Sequence, residues 1–159
     1  MTQWVSIFLL LALLLTVGTS CASKDKDAGV GLTDNMLKPC PNSPNCVCSE
    51  YSNAASAVPP LSIKSNLQEA WTQAIAAVKE MGGTIVLQQD SYLHATFTSK
   101  IFRFVDDFEL RLDTSENVIH IRSASRIGYS DLGVNRKRVE RFRSLLSAQL
   151  GKPDVHPGN

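Results

Sequence analysis

Acidic and basic side chains that could bind a polar ligand are concentrated on one predicted β-hairpin, which spans residues 104–126. The apolar residues of its two strands indicate a register that places Glu109 opposite Arg122. In the same register, Asp107 lies within diagonal reach of Arg122 and Arg126. These four side chains either form a charged platform that binds a polar ligand or partner, or they form cross-strand ion pairs on a solvated face of the sheet.

Asp106 differs from its neighbours because it falls on the apolar face of the same strand. A buried carboxylate is costly unless it is paired. The register places Asp106 opposite Ser125, and the loop of residues 128–138 could supply backbone donors or an arginine. Asp106 is interpreted either as a carboxylate in a pocket, which like Asp107 could act as an acid or base, or as a buried acceptor that fixes this loop.

Other patterns that would indicate a reaction or a cofactor are absent from the sequence. No serine stands in a Gly-x-Ser-x-Gly elbow, and no glycine-rich loop could hold a phosphate. His94 and His120 fall on the polar face of the predicted sheet, but their spacing matches no standard metal-ligand pattern. Cys46 and Cys48 lack the Cys-x-x-Cys spacing of redox and zinc sites. We therefore expect no cofactor and no metal.

A basic cluster opens the last predicted helix. Its members are Arg136, Lys137, Arg138, Arg141 and Arg143. The positive end of a helix dipole normally disfavours cations. The cluster either attracts anionic head groups or another acidic surface, or it is a solvated helix face that nearby acidic residues neutralise. The net charge of +1 gives no electrostatic argument for binding to nucleic acid.

Hydrophobic periodicity predicts an α+β fold in which a helix, four strands and a second helix follow one another. The first helix begins at a capping box of Ser65 and Gln68 and ends at Gly82. The last helix begins near Asn135. The strands are expected to form a four-stranded antiparallel meander (α-β-β-β-β-α), with both helices packed on one face.

The first 21 residues indicate export. An apolar run over residues 4–17 is too short to span a bilayer comfortably, and small residues separate it from Cys21. This arrangement is typical of an export signal and resembles a bacterial lipoprotein processing site with lipid on Cys21. An ordinary cleaved signal and an uncleaved anchor are the alternatives. We expect a membrane-anchored lipoprotein of the cell envelope, in the outer membrane if the cell is Gram-negative.

Changes in composition and the positions of glycine and proline divide the chain into four segments. They are a signal peptide over residues 1–20, a lipidated flexible tether over 21–38, a single domain over 39–150 and a tail over 151–159. Prolines punctuate residues 39–60, where we expect neither a helix nor a central strand.

Three cysteines remain if Cys21 carries lipid, so one of them is a free thiol or forms an intermolecular link. A disulfide between Cys40 and Cys46 would close a loop of turn residues. An oxidising compartment outside the cytoplasm permits such a bond.

Three segments together resemble one family. They are residues 40–46 (CPNSPNC), residues 104–109 (FVDDFE) and residues 122–136 (RSASRIGYSDLGVNR). Over about residues 38–150, the chain resembles the uncharacterised family catalogued as domain of unknown function 1499, which has no established activity to carry over. Cys48 stands where this family is expected to have Ser, which supports Cys40 and Cys46 as the structural pair and Cys48 as the extra thiol.

The family-like segments and the strand register indicate the same region. We therefore expect eight side chains to form one polar network where the second hairpin meets the loop before the last helix. These are Asp106, Asp107, Glu109, Arg122, Arg126, Asp131, Asn135 and Arg136.

The sequence favours a non-enzymatic envelope lipoprotein, because no nucleophile–base set accompanies these polar residues. Such a binding or scaffold module would recognise an unknown envelope protein or a small ligand through the polar network. An enzyme that uses Asp106 or Asp107 as an acid or base is one alternative. The other is a scaffold in which every polar signature residue is structural.

Overall fold

The computed structural model describes residues 29–51 and 55–151. The expected signal peptide, Cys21 and the tail beyond residue 151 lie outside the described residues, so the lipid anchor and the envelope location stay predictions. Within the described ranges, no helix combines the length and the apolar character needed to cross a bilayer.

Short strands precede the two helices and four longer strands of the described chain. They are β1 (Leu32–Thr33), β2 (Met36–Leu37), β3 (Cys46–Cys48) and β4 (Leu61–Ser62). Next come α1 (Leu67–Glu80), β5 (Thr84–Gln88), β6 (Tyr92–Thr98), β7 (Val105–Asp113), β8 (Val118–Ser125) and α2 (Val134–Leu150). The α+β class and the antiparallel meander from β5 to β8 are confirmed.

The sheet follows the predicted register but is wider than expected. Glu109 pairs with Arg122 and Asp106 pairs with Ser125, as predicted. The short strands β3 and β4 both pair with β8, so the sheet has six strands instead of four. Prolines restrict residues 39–60 to short strands, yet β3 is buried and occupies part of an edge that β8 would otherwise leave unpaired.

The N-cap of the first helix, α1, lies one residue later than predicted. Asn66 is the N-cap, and its Oδ1 accepts a hydrogen bond from the backbone N–H of Glu69 at 3.0 Å. Asparagine and serine are equally good caps, so the neighbouring Ser65 produced the error. After the helix, Gly82 adopts a φ of 88° in the left-handed region, which agrees with the predicted end.

Both helices contribute to one apolar core on the same side of the sheet, which we call the helix face. Trp71 of α1 and Phe142 of α2 belong to this core together with Phe108 and Leu110 of β7. The rings of Phe108 and Phe142 meet edge to face with centroids 5.4 Å apart. Complete burial of such side chains contributes about 1.5–3 kcal/mol each.

The opposite side of the sheet, the second face, is covered by chain that precedes β3. Residues 29–40, which we call the N-terminal cover, include the hairpin of β1 and β2. Leu37 of this hairpin is fully buried and packs with Tyr92. Residues 29–38, assigned by the sequence to a flexible tether, therefore pack on the domain. A disulfide between Cys40 and Cys46 joins the cover to β3.

Candidate functional site

Three buried acidic side chains lie on the second face. Asp107 and Glu109 come from β7 and are 0 % exposed, and Glu50 follows β3 with a side chain 1 % exposed. Asp107 and Glu109 share a face because alternate residues of a strand point the same way. The expectation that this face is open to solvent is therefore wrong. Because water is excluded, each carboxylate needs partners from the protein.

Asp107 is paired on two sides. The Nε2 of His94 lies 2.7 Å from its Oδ1, and Arg126 donates from Nε at 3.0 Å and from Nη2 at 2.9 Å. Burial raises the pKa of Asp107, but the hydrogen bonds with His94 and Arg126 outweigh burial and hold that pKa below its ordinary value. Asp107 is thus a charged anchor at neutral pH, and its diagonal contact with Arg126 agrees with the predicted register.

Glu109 accepts hydrogen bonds from three donors. They are the hydroxyl of Tyr92, Nη1 of Arg122 and the backbone N–H of Gly31, each at 2.7 Å. Burial raises the pKa of Tyr92, and the adjacent carboxylate raises it further, so the phenol stays protonated and donates. The Arg122 contact agrees with the predicted cross-strand pair, and the Gly31 contact fixes the N-terminal cover to β7.

Glu50 is a buried partner that sequence reasoning missed. Its carboxylate accepts hydrogen bonds from Nε of Arg111 at 2.7 Å and from the backbone N–H of Leu37, and it lies 3.8 Å from Nε2 of His120. Burial lowers the pKa of His120, so its imidazole is neutral at neutral pH. Arg111 was the available signal, because its cross-strand neighbour is His120 and the sequence analysis assigned no acid to this arginine.

Asp113, Glu116 and His120 bring three potential metal-ligand atoms within 4.8 Å of one another. The carboxylate of Asp113 is already engaged, because Arg111 donates to Oδ2 at 3.2 Å and Ser115 donates to Oδ1 at 2.6 Å. The hydrogen bond from Ser115 is the main cause that lowers the pKa of Asp113 to about 2. Arg111 supplies the positive charge that a metal would bring, so we assign no metal to this cluster.

On the helix face, Asp106 forms an ion pair with α2. Nη2 of Arg138 donates to Oδ2 of Asp106 at 2.6 Å, and the guanidinium lies 4.8 Å from the centre of the Phe97 ring. The fully buried Asn135 accepts from the hydroxyl of Ser123 at 2.6 Å. An arginine from residues 128–138 was an expected partner of Asp106, so the structure favours its interpretation as a buried acceptor.

The prediction of a single network is therefore wrong, because these side chains form two networks separated by the sheet. The reason is strand alternation, which sends adjacent residues of β7 to opposite faces. Four of the eight residues belong to the second face and two to the helix face. They are Asp107, Glu109, Arg122 and Arg126 on the second face, and Asp106 and Asn135 on the helix face.

Asp131 and Arg136 have local roles instead. The carboxylate of Asp131 accepts hydrogen bonds from the backbone N–H groups of Gly133 at 2.9 Å and Asn135 at 2.7 Å, so it binds the beginning of α2, whose N-cap is Gly133. Arg136 donates to backbone carbonyls at residues 55 and 57, at 3.0 and 3.1 Å. Neither residue binds the buried acids of the two faces.

A cavity of about 610 Å³ opens between the N-terminal cover and β8. Its walls include Lys38, Asn45, Arg122 and Arg126. The side chain of Arg122 is 2 % exposed, and in the part of the chain that the structure describes its Nε has no hydrogen-bond partner. A buried donor without an acceptor costs about 1–3 kcal/mol. A cationic side chain with one unsatisfied donor therefore lies in the wall of this cavity.

A second cavity, of about 410 Å³, lies on the helix face and is lined by Asp106 and Arg138. The carboxylate of Asp107, by contrast, is closed off by complete burial. Asp107 therefore cannot contact a substrate in this structure. Of the two carboxylates proposed as an acid or base, Asp106 is the one that lines this cavity.

The sequence profile of the family described as Protein of unknown function (DUF1499) matches residues 36–146. No match to a curated protein is found. The matched residues include both networks, with Asp106 and Asn135 on one face and Glu109 and Arg122 on the other. Because the match covers more than half of the chain, the protein belongs to the DUF1499 family, for which no function is established.

Proposed function

We propose that the protein is a non-enzymatic binding module that takes a small anion in the cavity between the N-terminal cover and β8. The observation that carries the proposal is the unpaired Nε of Arg122, buried in a side chain that lines this cavity. A phosphate or carboxylate oxygen in the cavity would complete the hydrogen bonding of the guanidinium once the side chain shifts enough to expose Nε. Hydrogen bonds between ionised partners are roughly twice as strong as neutral ones.

Charges around the cavity also favour an anion. Arg122 forms an ion pair with Glu109 at 2.7 Å, and Arg126 forms one with Asp107 at 2.9 Å. Lys38 adds a further positive charge at the wall, and none of the ion pairs among the described residues includes it. The lining is therefore more positive than its paired arginines alone would make it.

Calorimetric titration of the full chain with inorganic phosphate, and separately with acetate, tests this function. We expect saturable binding of at least one probe, weakened by added salt. Arg122→Lys keeps a cation beside Glu109 but removes Nε, so affinity should fall about tenfold or more. Because Arg122 is buried, Lys38→Ala provides a second variant at a partly exposed position, and it should weaken binding several-fold without loss of folding.

Arg136→Lys is the matched control, because among the described residues Arg136 donates to backbone carbonyls at residues 55 and 57, and it does not line the cavity. Its affinity for phosphate should equal that of the unsubstituted chain. If neither probe binds, or if Lys38→Ala and Arg122→Lys bind as well as the control, the proposal fails. The polar residues of the second face would then be a scaffold that only holds the fold.

A further inference from the structure

Six of the ten large apolar side chains that are exposed among the described residues lie on two loops. They are Ile101, Phe102 and Phe104 between β6 and β7, and Ile127, Tyr129 and Leu132 between β8 and α2. Ile101 is 83 % exposed and Leu132 is 88 % exposed. We call these six residues the apolar end. Folded domains rarely expose so many apolar side chains together unless the surface has a partner.

The two loops are neighbours in space. The backbone N–H of Arg126 donates to the carbonyl of Val105 at 3.2 Å, which joins the beginning of one loop to the end of the other. The cavity on the helix face is also lined by Lys100 of the first loop and by Val134, the first residue of α2 after the second loop. Since both loops lie at the same end of the sheet, the apolar end is a single surface.

Exposed basic residues accompany the apolar end. Lys100 and Arg103 belong to the first loop, and Lys137 and Arg141 belong to the first two turns of α2. None of them takes part in an ion pair among the described residues. Asp131 is the only acidic residue of the two loops, and backbone N–H groups occupy both its oxygens. Apolar side chains flanked by cations suit an anionic bilayer surface.

The path of the chain leads to the same end. The described chain begins at Gly29, which lines a cavity together with Arg126, the first residue of the second loop. The preceding residues include the apolar run 4–17 and Cys21, and Gly29 follows Cys21 by eight positions. A stretch of that length spans at most about 28 Å. Membrane attachment at Cys21 would therefore keep the apolar end close to the bilayer.

We propose that the apolar end docks on an anionic lipid bilayer, with its apolar side chains in the head-group region and its basic residues on lipid phosphates. None of the six residues of the apolar end lines the adjoining anion cavity of the proposed function, so either proposal can fail alone. A protein with a complementary groove is the competing occupant. The unpaired cations and the apolar segment at the N-terminal side both favour lipid.

Fluorescence quenching tests the docking with the full chain reconstituted in vesicles of phosphatidylcholine and phosphatidylglycerol whose acyl chains carry bromine. Phe102→Trp places a reporter in the apolar end. Leu87→Trp is the matched control, because Leu87 is also exposed but lies on the edge strand β5. The unsubstituted chain supplies the background from Trp4 and Trp71. We expect several-fold greater quenching for the reporter of Phe102→Trp than for the control.

The charge of the surface gives a second measurement. In the Phe102→Trp chain, Lys100→Glu with Arg103→Glu should weaken docking about tenfold or more, because each basic residue adds to the attraction for anionic lipid. Docking of the Phe102→Trp chain should be weakened in the same way on vesicles of brominated phosphatidylcholine alone, which lack anionic lipid. Lys64→Glu with Lys79→Glu changes the net charge equally at exposed positions elsewhere and should leave quenching unchanged.

Equal quenching of the two reporters, or no quenching of Phe102→Trp on anionic vesicles, would overturn the proposal. Quenching that does not depend on phosphatidylglycerol would contradict the role of the basic residues. If vesicles have no effect but an envelope protein extract protects residues 101–104 from hydrogen exchange, the surface binds a protein and the lipid proposal is wrong.

Discussion

The two faces of one sheet are buried by different means. On the helix face, α1 and α2 cover the strands mainly through apolar contacts, whereas on the second face the N-terminal cover is joined to buried carboxylates by backbone hydrogen bonds. Leu110 and Glu109 are adjacent on β7 and both 0 % exposed, yet one packs in an apolar core and the other has three donors. Two equally buried residues therefore differ in what a substitution removes, which is apolar contact for Leu110 and ionic pairing for Glu109.

The difference lies in what happens when one partner is lost. Apolar burial contributes in proportion to area. A buried ion pair adds little net stability over an apolar pair of similar volume, but removal of one partner leaves a costly unpaired charge. We infer that the main effect of the ionic network on the second face is to fix the position of the N-terminal cover.

Glu109→Ala should produce the largest effect. It leaves the buried Arg122 without its counter-charge, so the free energy of unfolding should fall by about 3–5 kcal/mol. Leu110→Ala, the adjacent residue on the helix face, should cost a similar amount of about 2–5 kcal/mol through lost apolar burial and a cavity. Urea unfolding followed by circular dichroism measures both losses.

The comparison is sharpened by adding a second substitution. Glu109→Leu with Arg122→Met removes both charges and should recover most of the stability that Glu109→Ala loses. No change elsewhere on β7 should rescue Leu110→Ala in this way. If the double variant is as unstable as Glu109→Ala, the network stabilises the fold directly and the contrast between the two faces is wrong.

Removal of the disulfide should have a smaller effect. Cys40→Ser with Cys46→Ser opens a short loop, with a sequence separation of 6, and should lower the free energy of unfolding by about 2 kcal/mol. Since the bond joins the N-terminal cover to β3, limited proteolysis should cut residues 29–40 faster in this variant than in the unsubstituted chain. Unchanged cleavage would mean that the buried carboxylates alone hold the cover.

Acid should loosen the second face before the helix face. The pKa values of Asp107 and Asp113 lie below their ordinary value of 3.8, at about 2 for Asp113. Their stabilising contribution is therefore present above about pH 4 and is lost as the pH falls below it, toward 2 for Asp113. His120 adds an earlier loss below its ordinary pKa of 6.5, because the unfolded chain takes up a proton that the folded chain resists.

Hydrogen exchange at the amides of Gly31 and Leu37 measures this loosening, because both amides donate to buried carboxylates of the second face. Their protection should fall with acid before that of Ala70, whose amide lies at the beginning of α1. Simultaneous loss at all three amides would indicate global unfolding and contradict a selective effect on the second face.

The smallest expected effect concerns the N-cap of α1 on the helix face. Asn66→Ala removes the acceptor for the N–H of Glu69 and should cost about 1 kcal/mol in thermal or urea unfolding. Ser65→Ala, at the position that the sequence predicted as the cap, should change stability by a few tenths of that amount. A reversed order would restore the predicted capping box of Ser65 and Gln68.

The register of β7 and β8 could be predicted from sequence because apolar residues of adjacent strands have to meet on the core side. That register correctly gave the pair of Glu109 and Arg122 and the diagonal contact of Asp107 and Arg126. The packing of the second face could not be predicted in the same way. The N–H of Gly31 binds Glu109, and a backbone donor is present in nearly every residue, so residue type carries no signal for it.

Sequence distance limited the prediction as well. Glu50 and Arg111 are 61 positions apart, and no local period relates them. The family-like segments brought Asp106 and Asp107 together as neighbours in sequence, although the sheet separates their side chains. Proximity along the chain was a good guide to strand pairing and a poor guide to membership of a network.

The hydrogen bond from Gly31 to Glu109 has a consequence for the order of folding, since it joins residues 78 positions apart. During synthesis, the N-terminal cover emerges before the strand that it binds. Contacts of such long range form late, because closing the intervening loop costs entropy before any contact repays it. The Cys40–Cys46 loop can close early, because its ends are near in sequence. Residues 29–37 can pack only after β7 has been synthesised. The first described residues of the chain are therefore among the last to reach their place.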